Sequence, residues 1–521
     1  MNLGRAAFTV SAFTLLSRIT GLLRDIMIAL TFGASALTDA FWVAFRIPNL
    51  LRRLFAEGAF SQAFMPILSQ IKSTESATRT QQVIDRVALL LFLTLSLITL
   101  AGILGAPFVV MAMASGLTES SRLNEFNAAV VMTQIMFPYI VCMSMVSLAS
   151  GILNTYKRFA VPAFTPVLLN LSMIAASIGL GSYFSQPIYA LAAGVMIGGV
   201  LQLATQWLAL SRLGVRPRLS ASVKTSVQDA TVKKVMKQMV PATLGVSVAQ
   251  LSLLINTNIA TWLTAGSVTW LSFADRLMEF PTAIIGVALG TVLLPSLSKA
   301  HAHSADAHYS HLLDWGLRLV FLFGVPAAIT MVMLSDALVA TLFHYGAFTA
   351  YDVAQTQTAV MAYSVGLIGL LAVKILAPGF YGKQNIRTPV KIAIFVLITT
   401  QVLNLIFVPW LAHAGLALSI GLGACMNALA LLIGLRKRAI YKPEPGWYRF
   451  FARQLLAICA MVLILYYLRG LVAWTSDDLN IGLRALWLGG FIFTGLLGYL
   501  TTLFLAGQRL NDFRRAPAPN A

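Results

Sequence analysis

Several arginines lie inside stretches of the sequence that are otherwise apolar enough to cross a membrane. They include Arg18, Arg24, Arg46, Arg52, Arg53 and Arg276. A guanidinium group presents its N–H donors in a planar fork, so arginine binds phosphate oxygens in pairs. A charge at the centre of a bilayer costs at least about 2.5–3.5 kcal/mol, so these side chains must line an aqueous cavity, meet partners or reach the membrane surface. The sequence therefore predicts a cationic cavity that attracts an anionic substrate, a phosphate or a pyrophosphate.

The first span places further polar residues beside its arginines. At about 100° per residue, Arg18 and Asp25 share one narrow stripe, and Ser17 and Arg24 flank it. The opposite face is apolar, so this helix is expected to form a polar wall of the cavity. Two alternatives stay open: Asp25 can simply neutralise a neighbouring arginine, and Arg24 can be an ordinary cytoplasmic anchor.

The second and eighth spans repeat this arrangement. The stripe on the second span comprises Asp39, Arg46, Arg53 and Glu57. Arg52 lies further round the same helix, where it can also act as a cytoplasmic anchor, and Glu57 can serve only to neutralise an arginine. On the eighth span Asp275 and Glu279 share a face, and Arg276 can pair with Glu279 three residues later. These carboxylates are expected to support the cavity or its gates.

The composition is that of a membrane protein. Of 521 residues, 58% are hydrophobic and only 11% are charged, whereas a soluble domain is nearer 25% charged. Apolar runs of about 20 residues recur along the whole chain, and no stretch between them is long enough for a soluble domain. The net charge of +19 resides mostly in short loops, which indicates positive-inside topology and not a nucleic-acid partner.

About 14 spans can be counted. Their centres lie near Leu16, Leu51, Leu95, Tyr139, Met173, Gly199, Leu251, Ile285, Phe323, Gly369, Thr399, Met426, Met461 and Phe493. Basic and non-basic loops alternate between them, which predicts an even number of spans with both termini in the cytoplasm.

A long basic loop divides the chain, and weak similarity between residues 54–70 and 283–299 suggests an internal repeat. Transporters often build a central site between two such repeats. We therefore predict an all-α polytopic membrane protein with two pseudo-symmetric six-helix lobes and a C-terminal helix pair. The predicted ranges are an N-lobe at 1–211, a basic cytoplasmic linker at 212–237, a C-lobe at 238–438, and a terminal helix pair with a short basic tail at 439–521.

Other chemistries lack their signatures. The sequence contains no phosphate-binding GxxxxGK[ST] loop, no HExxH and no evident catalytic triad. Its cysteines show no metal-ligand spacing, and its clustered histidines are expected to form a solvated loop. We therefore expect no enzyme activity, no metal and no cofactor. The energy source is expected to be the membrane potential or an ion gradient.

Several long motifs resemble one family. These are SAFTLLSRITGLLRD, FGASALTDAFWVAFRIPNLLRRLFAEGAFSQAFMPIL, DRLMEFP, GVALGTVLLPSLSK and LAPGFYGKQNIRTPVKIA. They resemble the MurJ (MviN) lipid II flippases of Gram-negative bacteria over nearly the whole chain. The resemblance implies the fold of the multidrug/oligosaccharidyl-lipid/polysaccharide exporter superfamily. It implies that lipid II, an undecaprenyl-pyrophosphate-linked peptidoglycan precursor, is carried by alternating access from the cytoplasmic to the periplasmic leaflet.

The resemblance also implies roles for particular residues. Arg18, Arg24, Arg52 and Arg276 correspond to cavity arginines of the family. Ser17, Asp39, Glu57 and Thr269 correspond to sensitive positions, and the terminal helix pair to a groove for the lipid tail. Implied partners are lipid II, membrane lipids and the cell-wall synthesis machinery. A flippase for another undecaprenyl-linked oligosaccharide, a multidrug antiporter and a membrane scaffold remain alternatives, and an enzyme acting on the lipid is disfavoured.

Overall fold

The computed structural model describes residues 3–51, 61–302, 306–476 and 479–509. Every regular element in these ranges is helical, which confirms the all-α fold class. The chain divides into two compact units, Met1–Thr269 and Trp270–Ala521. The predicted lobes divide instead at the basic linker 212–237. The boundaries of the predicted lobes remain a prediction, because a division into compact units does not test whether the two halves are an internal repeat.

The first unit contains eleven α-helices in its described residues. They are α1 (Leu3–Phe32), α2 (Ala36–Leu51), α3 (Ser61–Thr74), α4 (Ala77–Leu104), α5 (Ala106–Met113), α6 (Leu123–Met136), α7 (Tyr139–Thr155), α8 (Ala160–Gly179), α9 (Tyr189–Arg212), α10 (Val223–Gln228) and α11 (Ala230–Thr261). Short 3-10 helices lie at Ser115–Thr118, Ser120–Arg122 and Gly181–Tyr183.

The next helix, α12 (Ser267–Ala302), begins in the last residues of the first unit and continues in the second. The second unit then contains α13 (Asp306–Met333), α14 (Ser335–Phe343), α15 (Ala350–Ser364), α16 (Leu367–Tyr381), α17 (Arg387–Lys437), α18 (Trp447–Arg469) and α19 (Ile481–Leu505). Ala412 interrupts α17 with non-helical angles of φ 48° and ψ −127°. The interruption lies between the predicted span centres Thr399 and Met426, so α17 contains the eleventh and twelfth spans.

Side chains at several helix starts explain where those helices begin. The first four N–H groups of a helix have no partner within it, so a polar side chain that accepts from them stabilises the start. Ser76 accepts from the Arg79 amide at the start of α4, and Asn480 accepts from the Leu483 amide at the start of α19. Thr349 forms a reciprocal capping box at the start of α15.

An apolar cluster holds α3, α4, α7 and the first turns of α11 together. Phe64, Val83 and Leu148 are fully buried in it, and Ile67 and Val235 are nearly so. Burial of such side chains stabilises a fold by about 1.5–3 kcal/mol each. This cluster fixes the start of α11 against the helices that precede the basic linker.

The basic linker packs against α4. The Arg218 amide donates to Asp85 Oδ1 at 2.8 Å, and Arg79 Nη1 donates to Asp229 Oδ2, also at 2.8 Å. Arg86 binds the same Asp229 carboxylate, which also caps α11. Burial raises the pKa of Asp229, but the two arginines outweigh burial and hold that pKa well below its usual range.

Nine segments of the described residues are long and apolar enough to cross a membrane. They contain ten of the predicted span centres, because the 51-residue α17 contains two. The other four centres, Leu16, Leu51, Leu251 and Ile285, lie in α1, α2, α11 and α12. The chain is thus a multi-pass membrane protein, and the count of 14 spans remains a prediction.

Candidate functional site

Arg24 lies in a buried polar cluster between α1 and α8. Its Nε and Nη2 atoms donate to Asp25 Oδ1 at 2.9 and 2.6 Å, and its Nη1 donates to Asn170 Oδ1 at 3.2 Å. Arg24 is 6% exposed and Asp25 only 1%. A carboxylate partner and an amide acceptor compensate the removal of the guanidinium from water. The predicted residues Arg24 and Asp25 therefore come together, and Asp25 does neutralise a neighbouring arginine.

The same face of α1 carries the other two predicted residues of this helix. The Ser17 carbonyl accepts from Asn170 Nδ2 at 3.0 Å, and the partly buried Arg18 follows it. Arg18 makes no hydrogen bond or ion pair with any residue that the structure describes. Its guanidinium thus keeps its donors available for a ligand.

A groove of about 370 Å³ opens beside Ser17. It runs between α1 and the start of α8 and is lined by Thr14 and Ser17 on one side and by Phe159 and Pro162 on the other. Its volume is within the range of small-molecule sites. The groove shows that α1 is open at Thr14 and Ser17, where the start of α8 forms part of the opposite wall.

Asp39 lies at the start of α2 and is 1% exposed. Its carboxylate accepts hydrogen bonds from the Gly266 amide at 2.7 Å, the Thr269 amide at 2.8 Å and the Thr269 hydroxyl at 2.7 Å. Gly266 has a φ of 98° and offers no side chain to cap the helix that begins at Ser267. Asp39 supplies the missing cap, and its negative charge lies at the positive end of the helix dipole.

Further along α2, Arg46 donates to the hydroxyl of Thr257 in α11. Thr257 is buried and passes a hydrogen bond to the Leu253 carbonyl at 2.6 Å. Both ends of the described part of α2 are therefore tied by polar contacts, through Asp39 at one end and Arg46 at the other.

The second unit contains the predicted group on α12. Arg276 Nη1 donates to Glu279 Oε2 at 2.7 Å, which is the pair that the three-residue spacing predicts. The Arg276 side chain is 25% exposed and that of Glu279 is 45% exposed. Asp275 is exposed one residue before. Exposed ion pairs contribute only about 0–1 kcal/mol, so Arg276 can exchange Glu279 for another anion at little cost.

Comparison with known proteins decides the family. The model of the family described as lipid II flippase MurJ matches residues 28–481. This chain belongs to the MurJ family. The lipid II flippase MurJ of Burkholderia cenocepacia is 54% identical over 486 residues, which cover 93% of this chain and 92% of that protein. The probable lipid II flippase MurJ of Vibrio cholerae is 38% identical over 518 residues, 98% of each chain.

Solved structures agree with the MurJ assignment at the level of the fold. A lipid II flippase MurJ in an inward closed conformation has a TM-score of 0.78 at 22% identity and covers 95% of this chain and 98% of its own. An inward-facing MATE transporter of the MOP superfamily has a TM-score of 0.64 at 14% identity, with coverage of 83% and 98%. The family resemblance and the superfamily fold that the sequence predicts are thereby confirmed.

Three predicted site residues of this MurJ-family chain, Arg52, Arg53 and Glu57, lie outside the described residues. Among the described site residues, the hydrogen bonds and ion pairs given above join Arg24 to Asp25, Asp39 to Thr269, and Arg276 to Glu279.

Sequence analysis missed Asn170, which touches the predicted cluster from α8. Asn170 is 6% exposed and stands in the apolar run TPVLLNLSMI. A single amide side chain in an apolar span is costly to bury unless it forms hydrogen bonds, so such residues are rare in spans. The presence of an asparagine in this span was the one sequence feature that pointed to a buried polar contact.

The arrangement is suited to binding anions. In the first unit, Arg18 and Arg24 keep N–H donors that no described residue occupies. The described ranges 3–51, 61–302, 306–476 and 479–509 contain no group of three or more His, Cys, Asp or Glu side chains that could hold a metal ion. The chemistry that these side chains offer is reversible, charge-assisted hydrogen bonding to phosphate oxygens.

Proposed function

We propose that this chain is a lipid II flippase. It carries lipid II from the cytoplasmic to the periplasmic leaflet by alternating access. The observation that carries the proposal is its 54% identity, over 93% of its length, to a protein named lipid II flippase MurJ. Identity at this level over nearly the whole length of both proteins supports a shared function.

The arginines are proposed to bind the pyrophosphate of the substrate. Arg18 has its donors available, and the Arg276 guanidinium pairs with Glu279, whose side chain is 45% exposed. Arg24 is held by Asp25 and Asn170 but keeps one N–H donor on each of its two terminal nitrogens. Arg52 is proposed for the same role on the basis of its motif. Bidentate arginine contacts favour phosphate over neutral or cationic substrates, which argues against a multidrug antiporter.

Asp39 and Thr269 are proposed to form part of the outer gate. Asp39 accepts one hydrogen bond from Gly266 and two from Thr269, and these tie the start of α2 to the start of α12 within the first unit. A contact of this kind can close one side of a transporter and be broken when that side opens. Asp25, Glu57, Asp275 and Glu279 are proposed to neutralise arginines when no substrate is bound. Arg53 is proposed to support the cavity or its gate.

The terminal helix pair is proposed to accommodate the polyprenyl tail. α18 and α19 pack closely where Gly495 and Gly498 face Leu465 and Ile464. Their outer faces expose large apolar side chains, for example Phe493 at 66%. A surface of this kind suits lipid, so the tail can remain in an apolar environment while the charged headgroup moves.

The membrane potential is proposed as the energy source. Moving a negative charge outward across an interior-negative membrane gains about 2.3 kcal/mol per charge per 100 mV. The anionic headgroup of the substrate moves in that direction. The potential therefore favours export, and no nucleotide, metal or other cofactor is required.

The chain is proposed to lie in the bacterial inner membrane with both termini in the cytoplasm. This location gives it access to lipid II in the cytoplasmic leaflet. It is proposed to act as a transporter without enzyme activity and to work beside the cell-wall synthesis machinery.

The test measures lipid II on the outer leaflet of cells depleted of their own flippase. The chain should restore exposure of lipid II, and the variants Arg24→Ala and Arg276→Ala should not, at equal protein levels. Arg212→Ala is the matched control, because Arg212 is exposed in the last turn of α9 and should be dispensable. If the unchanged chain fails to restore exposure, the flippase assignment is wrong for lipid II, and another lipid-linked oligosaccharide becomes the substrate to test.

A further inference from the structure

Asn170 joins α8 to α1 through both ends of its amide. Its Nδ2 donates to the Ser17 carbonyl at 3.0 Å and to Thr20 Oγ1 at 3.1 Å, and its Oδ1 accepts from Arg24 Nη1 at 3.2 Å. An asparagine amide has two N–H donors and one carbonyl oxygen. All of them are used here, so this buried side chain can adopt only one orientation without losing a partner.

Counting the donors of Arg24 shows what the cluster leaves available. A guanidinium group has five N–H donors, one on Nε and two on each terminal nitrogen. Asp25 takes the Nε donor and one Nη2 donor, and Asn170 takes one Nη1 donor. One N–H therefore remains on each terminal nitrogen, and the structure gives Arg24 no further partner among the described residues. Two N–H groups on adjacent terminal nitrogens are the fork that binds two phosphate oxygens together.

We propose that Asn170 is a positioning residue for Arg24. The single oxygen of Asp25 holds one edge of the guanidinium but leaves the plane free to turn about that contact. The bond to Asn170 is a second fixed point, and it directs the two remaining donors of Arg24 toward the phosphate oxygens of the ligand. This inference rests on the proposed function only in naming the ligand as the pyrophosphate of a lipid-linked substrate.

Thr20 separates this role from that of a simple connection between helices. Its hydroxyl accepts from the Asn170 amide and is also buried, but it makes no hydrogen bond with Arg24. Thr20→Val removes one hydrogen bond between α1 and α8 and leaves the Arg24 contact in place. Asn170→Leu removes both, and Asn170→Ser keeps a hydroxyl in the span but is too short to reach Arg24.

The experiment measures binding of inorganic pyrophosphate to the purified full-length chain by calorimetry, together with thermal unfolding. We expect Asn170→Leu and Asn170→Ser to weaken pyrophosphate binding by about tenfold or more, the effect of one hydrogen bond to a charged group. Thr20→Val should bind like the unchanged chain. In the Arg24→Ala background, Asn170→Ser should cause no further loss, because Asn170 acts through Arg24.

A second readout uses flipping in liposomes. The Asn170→Ser variant should need a higher lipid II fraction for half-maximal rate, with a smaller change in the maximal rate. Pyrophosphate affinity that is unchanged in both Asn170 variants, or equally reduced in Thr20→Val, would overturn the positioning role. If affinity falls as expected but even the unchanged chain does not flip lipid II, the positioning role stands and the proposed function fails.

Discussion

Replacing Asp39 with alanine should expose the start of α12 to exchange with solvent. The Asp39 carboxylate is the acceptor for the Gly266 amide, the Thr269 amide and the Thr269 hydroxyl. A buried donor left without an acceptor costs about 1–3 kcal/mol. Because 1.4 kcal/mol is a factor of ten, hydrogen exchange of these two amides should accelerate by about 5- to 150-fold. Asp39→Asn keeps one acceptor oxygen but loses the charge, so its effect should be smaller.

The assay is hydrogen–deuterium exchange by mass spectrometry on the chain in lipid nanodiscs. A peptide that contains Gly266 and Thr269 reports the predicted change. The internal control is a peptide that contains Gly116, whose amide donates to the Thr261 hydroxyl at 3.2 Å and does not depend on Asp39. Unchanged exchange at Gly266 and Thr269 in Asp39→Ala would refute the capping role and, with it, the proposed gate.

Three further substitutions test the packing and charge of the two units. Asp314→Ala should lower the free energy of unfolding by about 3–5 kcal/mol, because it leaves Arg318, Tyr441 and Trp447 without their shared buried partner. Its control is Asp336→Ala, which removes a partly exposed ion pair with Arg469 and should lower the free energy of unfolding by less than about 1 kcal/mol. Gly366→Ala should destabilise the chain by at least about 1–3 kcal/mol, since its Cβ would lie 2.3 Å from the backbone of Gly421. Gly490→Ala has open space around the new Cβ and should be neutral or stabilising. Thermal unfolding in detergent measures the two aspartate variants and the two glycine variants. Asp229→Asn should lower the free energy of unfolding by an amount that does not change between pH 8 and pH 5. The folded pKa of Asp229 is depressed, so its carboxylate contributes stability above the ordinary pKa of about 3.9 and loses it only as pH falls through the lower folded value. A loss of unfolding free energy that shrinks between pH 8 and pH 5 would contradict this sign.

The helical fold and the pairing of near neighbours were predictable from the sequence. Hydropathy alone indicates the spans, since a bilayer requires about 20 apolar residues per helix. The Arg276–Glu279 pair follows from helical spacing, and so does the polar stripe that carries Arg18. Such features depend on residues within one helix, where geometry converts spacing directly into proximity.

Contacts between distant helices were not predictable in the same way. Asn170 lies 146 residues from Arg24 in the chain, and Asp39 lies 230 residues from Thr269. The sequence placed Asp39 among the carboxylates that support the cavity or its gates. It could not supply the partners themselves, because they depend on how a glycine with a positive φ leaves a helix start without a cap. Asn170 carried only the weaker signal of a lone amide in an apolar span.

The most direct test of the account measures lipid II translocation by the purified chain in liposomes with an imposed membrane potential. The account predicts translocation well above that in protein-free liposomes, faster when the potential drives negative charge in the transport direction. It further predicts a loss of about tenfold or more in Arg18→Ala and Arg24→Ala. Translocation no faster than in protein-free liposomes would contradict the flippase assignment. Equal rates in the variants and the unchanged chain would contradict the role of the arginines.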